Sequence, residues 1–116
     1  MDYKDLADLI FPEAKDISYY EEKYPERNLK EGAVVSRIAP SPTGFTHIGG
    51  IYQGLIAKKL SEQTEGVFFV RIEDTDQKRE VKNAIVEIVN SLKDFGIEQD
   101  EGMINENDSE GAYGPY

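Results

Sequence analysis

Residues 67–72 read VFFVRI, an apolar run of strand length. With no polar alternation it suits a central parallel strand covered on both faces. Segments with helical periodicity flank it. Upstream, Ile48, Ile51, Tyr52, Leu55, Ile56 and Leu60 recur at spacings of three and four. They predict a helix that begins near His47, buries that face and ends before Gly66. Downstream, Val81, Ala84, Ile85, Ile88, Val89, Leu92 and Phe95 give the most regular stripe in the chain, with Gly96 placed to close the helix. Ahead of both, residues 33–39, AVVSRIA, read as a second strand between Gly32 and the turn-rich PSPTG at 40–44. Pro40 and Pro42 forbid a helix there, and Gly44 permits a left-handed bend.

The order is strand, turn, helix, strand, loop, helix. Such a unit implies right-handed crossovers and parallel strands, half of a doubly wound α/β sheet. Two strands cannot cover two helices. Residues 33–116 are therefore expected to be part of a larger domain, with an open sheet edge and apolar helix faces that favour self-association. Residues 3–11 predict a short amphipathic helix ending at Pro12, and residues 13–32 a polar extension. Residues 97–116 hold three glycines and little apolar mass, and no element is expected there.

The chain has 116 residues, no cysteine and one histidine. Disulfides, zinc-thiolate sites, iron–sulfur clusters and cysteine nucleophiles are excluded together. No apolar run is long enough for a membrane span, and the polar, acidic N-terminus has no secretory pattern, so a cytoplasmic location is expected. The net charge of −10 is uneven: −4 over residues 1–32, 0 over 33–96 and −6 over 97–116. That balance argues against non-specific nucleic-acid binding. Lys78, Arg79 and Lys82 read, on charge alone, as a solvated helix start.

Ligands of open parallel sheets bind beyond the C-terminal strand ends. Two segments fall there: RIAPSPTGFTHIGG at 37–50 and RIEDTD at 71–76. His47, Gly49 and Gly50 lie on the first helical turn, where amide N–H groups and the positive dipole end favour anions. Glycines admit a phosphate or an adenine ring close to the backbone. A histidine can donate a hydrogen bond to a phosphate oxygen as charge builds on it. The dinucleotide pattern GxGxxG and the P-loop pattern GxxxxGK[ST] are both absent.

These two segments together resemble the N-terminal catalytic segment of bacterial glutamyl-tRNA synthetases. HIGG is similar to the HIGH signature of class I aminoacyl-tRNA synthetases, with Gly50 in place of the final histidine. Asp100-Glu101-Gly102 and Gly114-Pro115-Tyr116 fit the same family. The likeness covers residues 33–116, while residues 1–32 resemble an extension of some members. It implies the first half of a Rossmann-like class I catalytic domain preceded by an N-terminal extension. The implied activity is ATP-dependent attachment of glutamate to tRNA through a glutamyl-adenylate. His47, Gly49 and Gly50 would be catalytic. Arg37 would pair with the side-chain carboxylate of glutamate, Ala39 and Ser41 would line its pocket, and Glu73 would hold its ammonium. Thr43, His47 and the backbone of Gly49 and Gly50 would contact ATP. Asp76 and Arg79 would lie near the tRNA acceptor end.

The implied partners are ATP with Mg²⁺ as a substrate complex, L-glutamate and tRNA(Glu), with no tightly bound cofactor, no resident metal and no membrane. A Mg²⁺ site in EDTD is the lesser reading, since in this family magnesium travels largely with ATP. The full-length enzyme is expected to be monomeric. Glutaminyl enzymes typically carry Pro-Glu-Pro-Asn where this chain has Pro40-Ser41-Pro42-Thr43. A glutamyl-Q-tRNA(Asp) synthetase-like paralogue, whose signature usually reads His-Phe-Gly-Ser, is the runner-up. A non-catalytic nucleotide- or partner-binding module is the reading from another class. The second class I motif, KMSKS, would lie far beyond residue 116. Lys58-Lys59-Leu60-Ser61-Glu62 is only faintly similar: Leu60 is expected to face the core, and Glu62 replaces the needed lysine. The chain is thus expected to be a fragment, inactive alone.

Overall fold

A computed structural model describes residues 2–44, 46–75 and 81–116. In chain order the elements are α1 (Tyr3–Ile10), α2 (Ile17–Lys23), β1 (Val35–Ile38), α3 (Ile48–Gln63), β2 (Val67–Val70), α4 (Ala84–Asp94), β3 (Glu101–Asn105) and β4 (Asp108–Glu110). The sheet order is β1-β2-β3-β4. β1 and β2 run parallel with Val35 opposite Val67, and β3 joins β2 in parallel with Phe69 opposite Glu101. β4 closes the sheet as an antiparallel partner of β3. The expected α/β parallel sheet is present, with two strands more than the sequence suggested.

The core lies between the sheet and α3 and α4. Phe68 and Val70 project from β2 onto Ile51, Ile88, Leu92 and Ile97, all buried. Phe69 alternates to the opposite face, as strand geometry requires, and meets the Tyr116 ring edge-on at 6.2 Å between centroids.

α4 follows its sequence pattern. Ala84, Ile85, Ile88, Val89 and Leu92 are buried, while Val81 and Phe95 fall outside the helix and are exposed. Gly96 has φ +71°. Its N–H donates to Lys93 O at 2.8 Å and that of Ile97 donates to Leu92 O at 2.9 Å, the paired bonds of a Schellman closure. α3 ends the same way: Glu65 takes the left-handed turn, φ 54°, and Gly66 N–H donates to Ser61 O at 2.8 Å. Gly66 then enters β2 so close to β1 that a Cβ would collide with the Val34 carbonyl oxygen.

α3 corrects the sequence reading. Its buried side is Ile51, Gly54 and Ser61, whereas Ile48, Tyr52, Leu55, Ile56 and Leu60 are 39–74% exposed. Leu60 therefore does not face the core. The cause is close approach: a Cβ at Gly54 would lie 3.0 Å from Leu92 Cδ2, so a glycine, not a leucine, sits where α3 nears α4. Lys58 lies nearby and pairs with Asp100 at 3.0 Å.

The β3–β4 hairpin was not visible in the sequence, because EGMIN and DSE lack a strand-like apolar pattern. Tertiary pairing creates it. Gly102, φ +136°, passes so close to the Val70 backbone that a side chain has no room. The hairpin also supplies a helix cap. Asn83, at the N-cap of α4, is left-handed and makes no side-chain cap. Instead a Glu106 carboxylate oxygen accepts the Ile85 N–H at 3.2 Å. Substituting Glu106 with alanine is expected to lower stability by about 1 kcal/mol, read from urea unfolding, with glutamine losing less.

Within the extension, residues 13–32 contain α2, capped by the Asp16 side chain on Ser18 N. The extension is fastened to the sheet beyond it. Tyr24 O–H donates to Gly114 O at 2.9 Å. Arg27 grips both oxygens of Glu101 and lies 3.8 Å over the Tyr113 ring. Tyr116 O–H donates to Glu101 at 2.9 Å. The Arg27 and Glu101 side chains are only 18% and 13% exposed. Arg27 holds the Glu101 carboxyl below the usual carboxylate range. A depressed folded value means that this contribution is present above the unfolded glutamate pKa and fades as pH falls through the folded one. Arg27→Met is expected to cost about 2 kcal/mol at neutral pH. The difference from the unaltered chain should shrink in strong acid, as urea titrations at several pH values would show.

Candidate active site at the strand ends

The chain leaves β1 at Ile38 and turns through Pro40 and Pro42 into the N-terminus of α3. A cavity of about 690 Å³ opens there, lined by Ala39, Ser41, Thr43, Thr46, His47 and Gly50 over a floor of Ile38, Ile88 and Leu92. Five of the expected site residues therefore share one concavity.

His47 is the N-cap of α3, with extended backbone at φ −91° and ψ 165°. Its Nδ1 accepts the Gly49 N–H at 3.2 Å. That bond places the proton of the neutral ring on Nε2, which becomes a donor. Gly49 gives the ring room, since a Cβ there would stand 3.1 Å from two ring atoms. The amides expected to be bare are both engaged: Gly49 N–H by the imidazole, and Gly50 N–H by His47 O at 2.9 Å. Gly49 does not line the cavity. Gly50 does, and a Cβ there would meet only Thr46 Cγ2, at 3.5 Å. The cavity is thus edged by the positive end of α3 rather than by a nest formed from the Gly49 and Gly50 amides.

The charged residues stand on the other face of the sheet. Ser36 donates to Ala57 O of α3 at 2.6 Å, so Arg37, the next residue, points away from the helices. Arg71 N–H donates to Ile38 O at 3.1 Å and Glu73 N–H to Pro40 O at 3.0 Å, continuing the β1–β2 pairing beyond both strands. Residues 69, 71 and 73 then fall on one side, with Arg37. Glu73 Oε1 accepts from Arg37 Nη1 at 3.1 Å and from Arg71 Nε and Nη2 at 2.9 and 2.6 Å. Arg71 first, then Arg37, hold its carboxyl below the usual range. Arg37 and Glu73 do not line the His47 cavity. Pro40 forms the rim between them: it lines the cavity, and its carbonyl accepts the Glu73 N–H.

A second cavity, of about 660 Å³, includes Tyr24, Arg71, Met103, Tyr113 and Tyr116 in its lining. Sequence reasoning missed Arg71, although its spacing of two from Glu73 in an extended segment puts both on one side. Nothing in the sequence marks Tyr24. Asp76, Arg79 and Lys78 lie outside the described residues. Among the described residues no cluster of three metal-ligating side chains is present, and Glu73 is committed to two guanidinium groups. Among them, too, no helix is long and apolar enough to cross a membrane. In the KMSKS-like stretch Lys59 pairs with Glu62 at 2.6 Å, and Ser61 is buried and donates to Lys58 O at 3.0 Å. That stretch is engaged in bonds within α3 and, through Lys58, with Asp100.

Sequence and structural comparisons agree on one family. The family described as tRNA synthetases class I (E and Q), catalytic domain, matches residues 33–116, and the chain belongs to that family. It is 56% identical over its whole length to glutamate–tRNA ligase of Clostridium perfringens, of which it covers 21%. The glutamate–tRNA ligase of Acetivibrio thermocellus is 51% identical, again over the whole chain and 21% of the relative. A crystal structure of a glutamate–tRNA ligase from Elizabethkingia meningosepticum in complex with its amino acid matches with TM-score 0.63 at 37% identity, over 72% of this chain and 16% of that one. The chain thus spans about a fifth of the length of these curated relatives.

Proposed function

We propose that this chain supplies the ATP and glutamate subsites of an enzyme that attaches glutamate to tRNA(Glu) through a glutamyl-adenylate. The observation that carries the reading is the His47 cavity, set at the C-terminal ends of parallel strands, with the Arg37–Glu73 pair across Pro40 on the other face of the sheet. A glutamate α-carboxylate oxygen attacks the α-phosphorus of ATP and pyrophosphate leaves. A hydroxyl of the 3′-terminal adenosine of tRNA then attacks the glutamyl carbonyl, the bond to phosphate breaks, and the ester forms as AMP leaves. No side-chain nucleophile takes part. The protein positions the reactants and stabilises charge on phosphate.

In this reading Nε2 of His47 and the N-terminal end of α3 face the phosphates, and Gly49 and Gly50 let ATP approach, with Thr43 beside it. Ala39 and Ser41 line the passage towards the amino acid. Arg37 binds the substrate side-chain carboxylate as a guanidinium fork, and Glu73 takes the ammonium. Mg²⁺ enters with ATP and offsets its phosphate charge. Asp76 and Arg79 are assigned to the tRNA acceptor end. The enzyme works in the cytoplasm as a monomer. Curated relatives named glutamate–tRNA ligase support this over the glutamyl-Q alternative.

Glutamate-dependent ATP–pyrophosphate exchange in the presence of tRNA tests the proposal. The full-length protein is expected to exchange with glutamate, and residues 1–116 alone to exchange little. Exchange dependent on a different amino acid would refute the assignment.

A further inference from the structure

The geometry points to Arg71 as a positioning residue of the amino-acid subsite: it retains Glu73 in place when Arg37 transfers from Glu73 to the substrate carboxylate. This rests on the functional reading above and goes beyond its residue roles. Glu73 Oε1 is shared by three N–H donors. Two come from Arg71, at 2.9 and 2.6 Å, and one longer bond of 3.1 Å comes from Arg37. The single bond is the one that can be exchanged. Arg37 is 41% exposed and Glu73 34%, so a small carboxylate can reach the guanidinium.

An isolated carboxylate next to an arriving amino acid would be poorly oriented once Arg37 left it. Arg71 prevents this because it sits two residues before Glu73 on the same side of an extended segment. The backbone of both is pinned to the β1 end, through Ile38 O and Pro40 O. Its two donors fall on Oε1, so the carboxylate can keep them and turn Oε2 towards the substrate ammonium. The Arg37–Glu73 bond also partners each charge with the other. Exchange replaces one ion pair by two, Arg37 with the side-chain carboxylate and Glu73 with the ammonium, and leaves the α-carboxylate to react with ATP.

The test is ATP–pyrophosphate exchange by the full-length protein with glutamate and ATP varied separately. Arg71→Gln is expected to raise KM for glutamate about tenfold and leave KM for ATP within about twofold. Arg71→Lys, which keeps a charge but not the fork, should recover part of that loss. Because Arg71 acts through Glu73, the Arg71→Gln change should have an effect of less than about twofold in a Glu73→Gln background. A glutamate KM unaltered by Arg71→Gln, equal rises in both KM values, or full additivity with Glu73→Gln would each overturn the proposal. Unaltered protein that exchanges with glutamate isolates that failure to Arg71. Unaltered protein that ignores glutamate overturns the functional reading and this inference with it.

Discussion

Replacing His47 with asparagine in the full-length protein lowers the rate of glutamyl-adenylate formation by about 100-fold while leaving the fold intact, an effect the size of removing one donor from a developing oxyanion. The two substitutions available at this position separate two jobs. His47 caps α3 through Nδ1, which accepts from Gly49 N, and by that bond turns Nε2 into a donor. Asparagine is a strong N-cap residue but has no group where Nε2 lies. His47→Asn should therefore melt like the unaltered protein and still lose the rate. His47→Ala should lose the rate and, in addition, about 1 kcal/mol of stability from the missing cap. In His47→Asn the new side-chain oxygen keeps the Gly49 N–H occupied in place of Nδ1, and the Gly50 N–H stays on the backbone carbonyl of residue 47, so neither amide takes over the lost contact. Single-turnover adenylate formation with calorimetric melting checks both halves. A rate loss confined to His47→Ala would assign His47 to capping alone.

Arg37→Ala is the second large effect. It should lower kcat/KM for glutamate by about 100-fold or more, the scale for deleting one member of a charge-assisted pair, while KM for ATP stays within about twofold. The asymmetry follows from the fold. Arg37 lies on the face of β1 away from α3, whereas the His47 cavity lies on the helix side, with the Pro40 rim between them. Arg37→Lys should rescue only weakly, because a point charge does not reproduce a bidentate fork. Equal losses for glutamate and ATP would contradict the division into two subsites.

Much of this arrangement was legible in the chain. VFFV, the strand before PSPTG and the stripe of α4 are written in local patterns, and the Schellman glycine after α4 is written with them. The His47 cavity was legible because a helix N-terminus after a strand and two prolines has few places to go. Three features were hidden by their dependence on distant contacts. The α3 stripe misleads because close packing against Leu92 selects the glycine side of the helix. The β3–β4 hairpin forms on the edge of β2 and has little propensity of its own. The hold of Arg27 on Glu101 joins positions 74 residues apart, and no spacing rule connects them. The Arg37–Glu73–Arg71 sharing was half-visible: Arg37 and Glu73 sit at informative positions, but the part of Arg71 and the common Oε1 need the β1–β2 register.

The central claim is that the His47 cavity and the Arg37–Glu73 pair, on opposite sides of the Pro40 rim, serve one reaction. A crystal structure of the full-length protein with a non-hydrolysable glutamyl-adenylate analogue tests it most directly. The account predicts the phosphate mimic within hydrogen-bond distance of His47 Nε2, the glutamyl side-chain carboxylate on Arg37, and Glu73 on the ammonium with Arg71 still attached. An analogue bound with the Arg37–Glu73 bond intact, or lying entirely on one side of the rim, would contradict it.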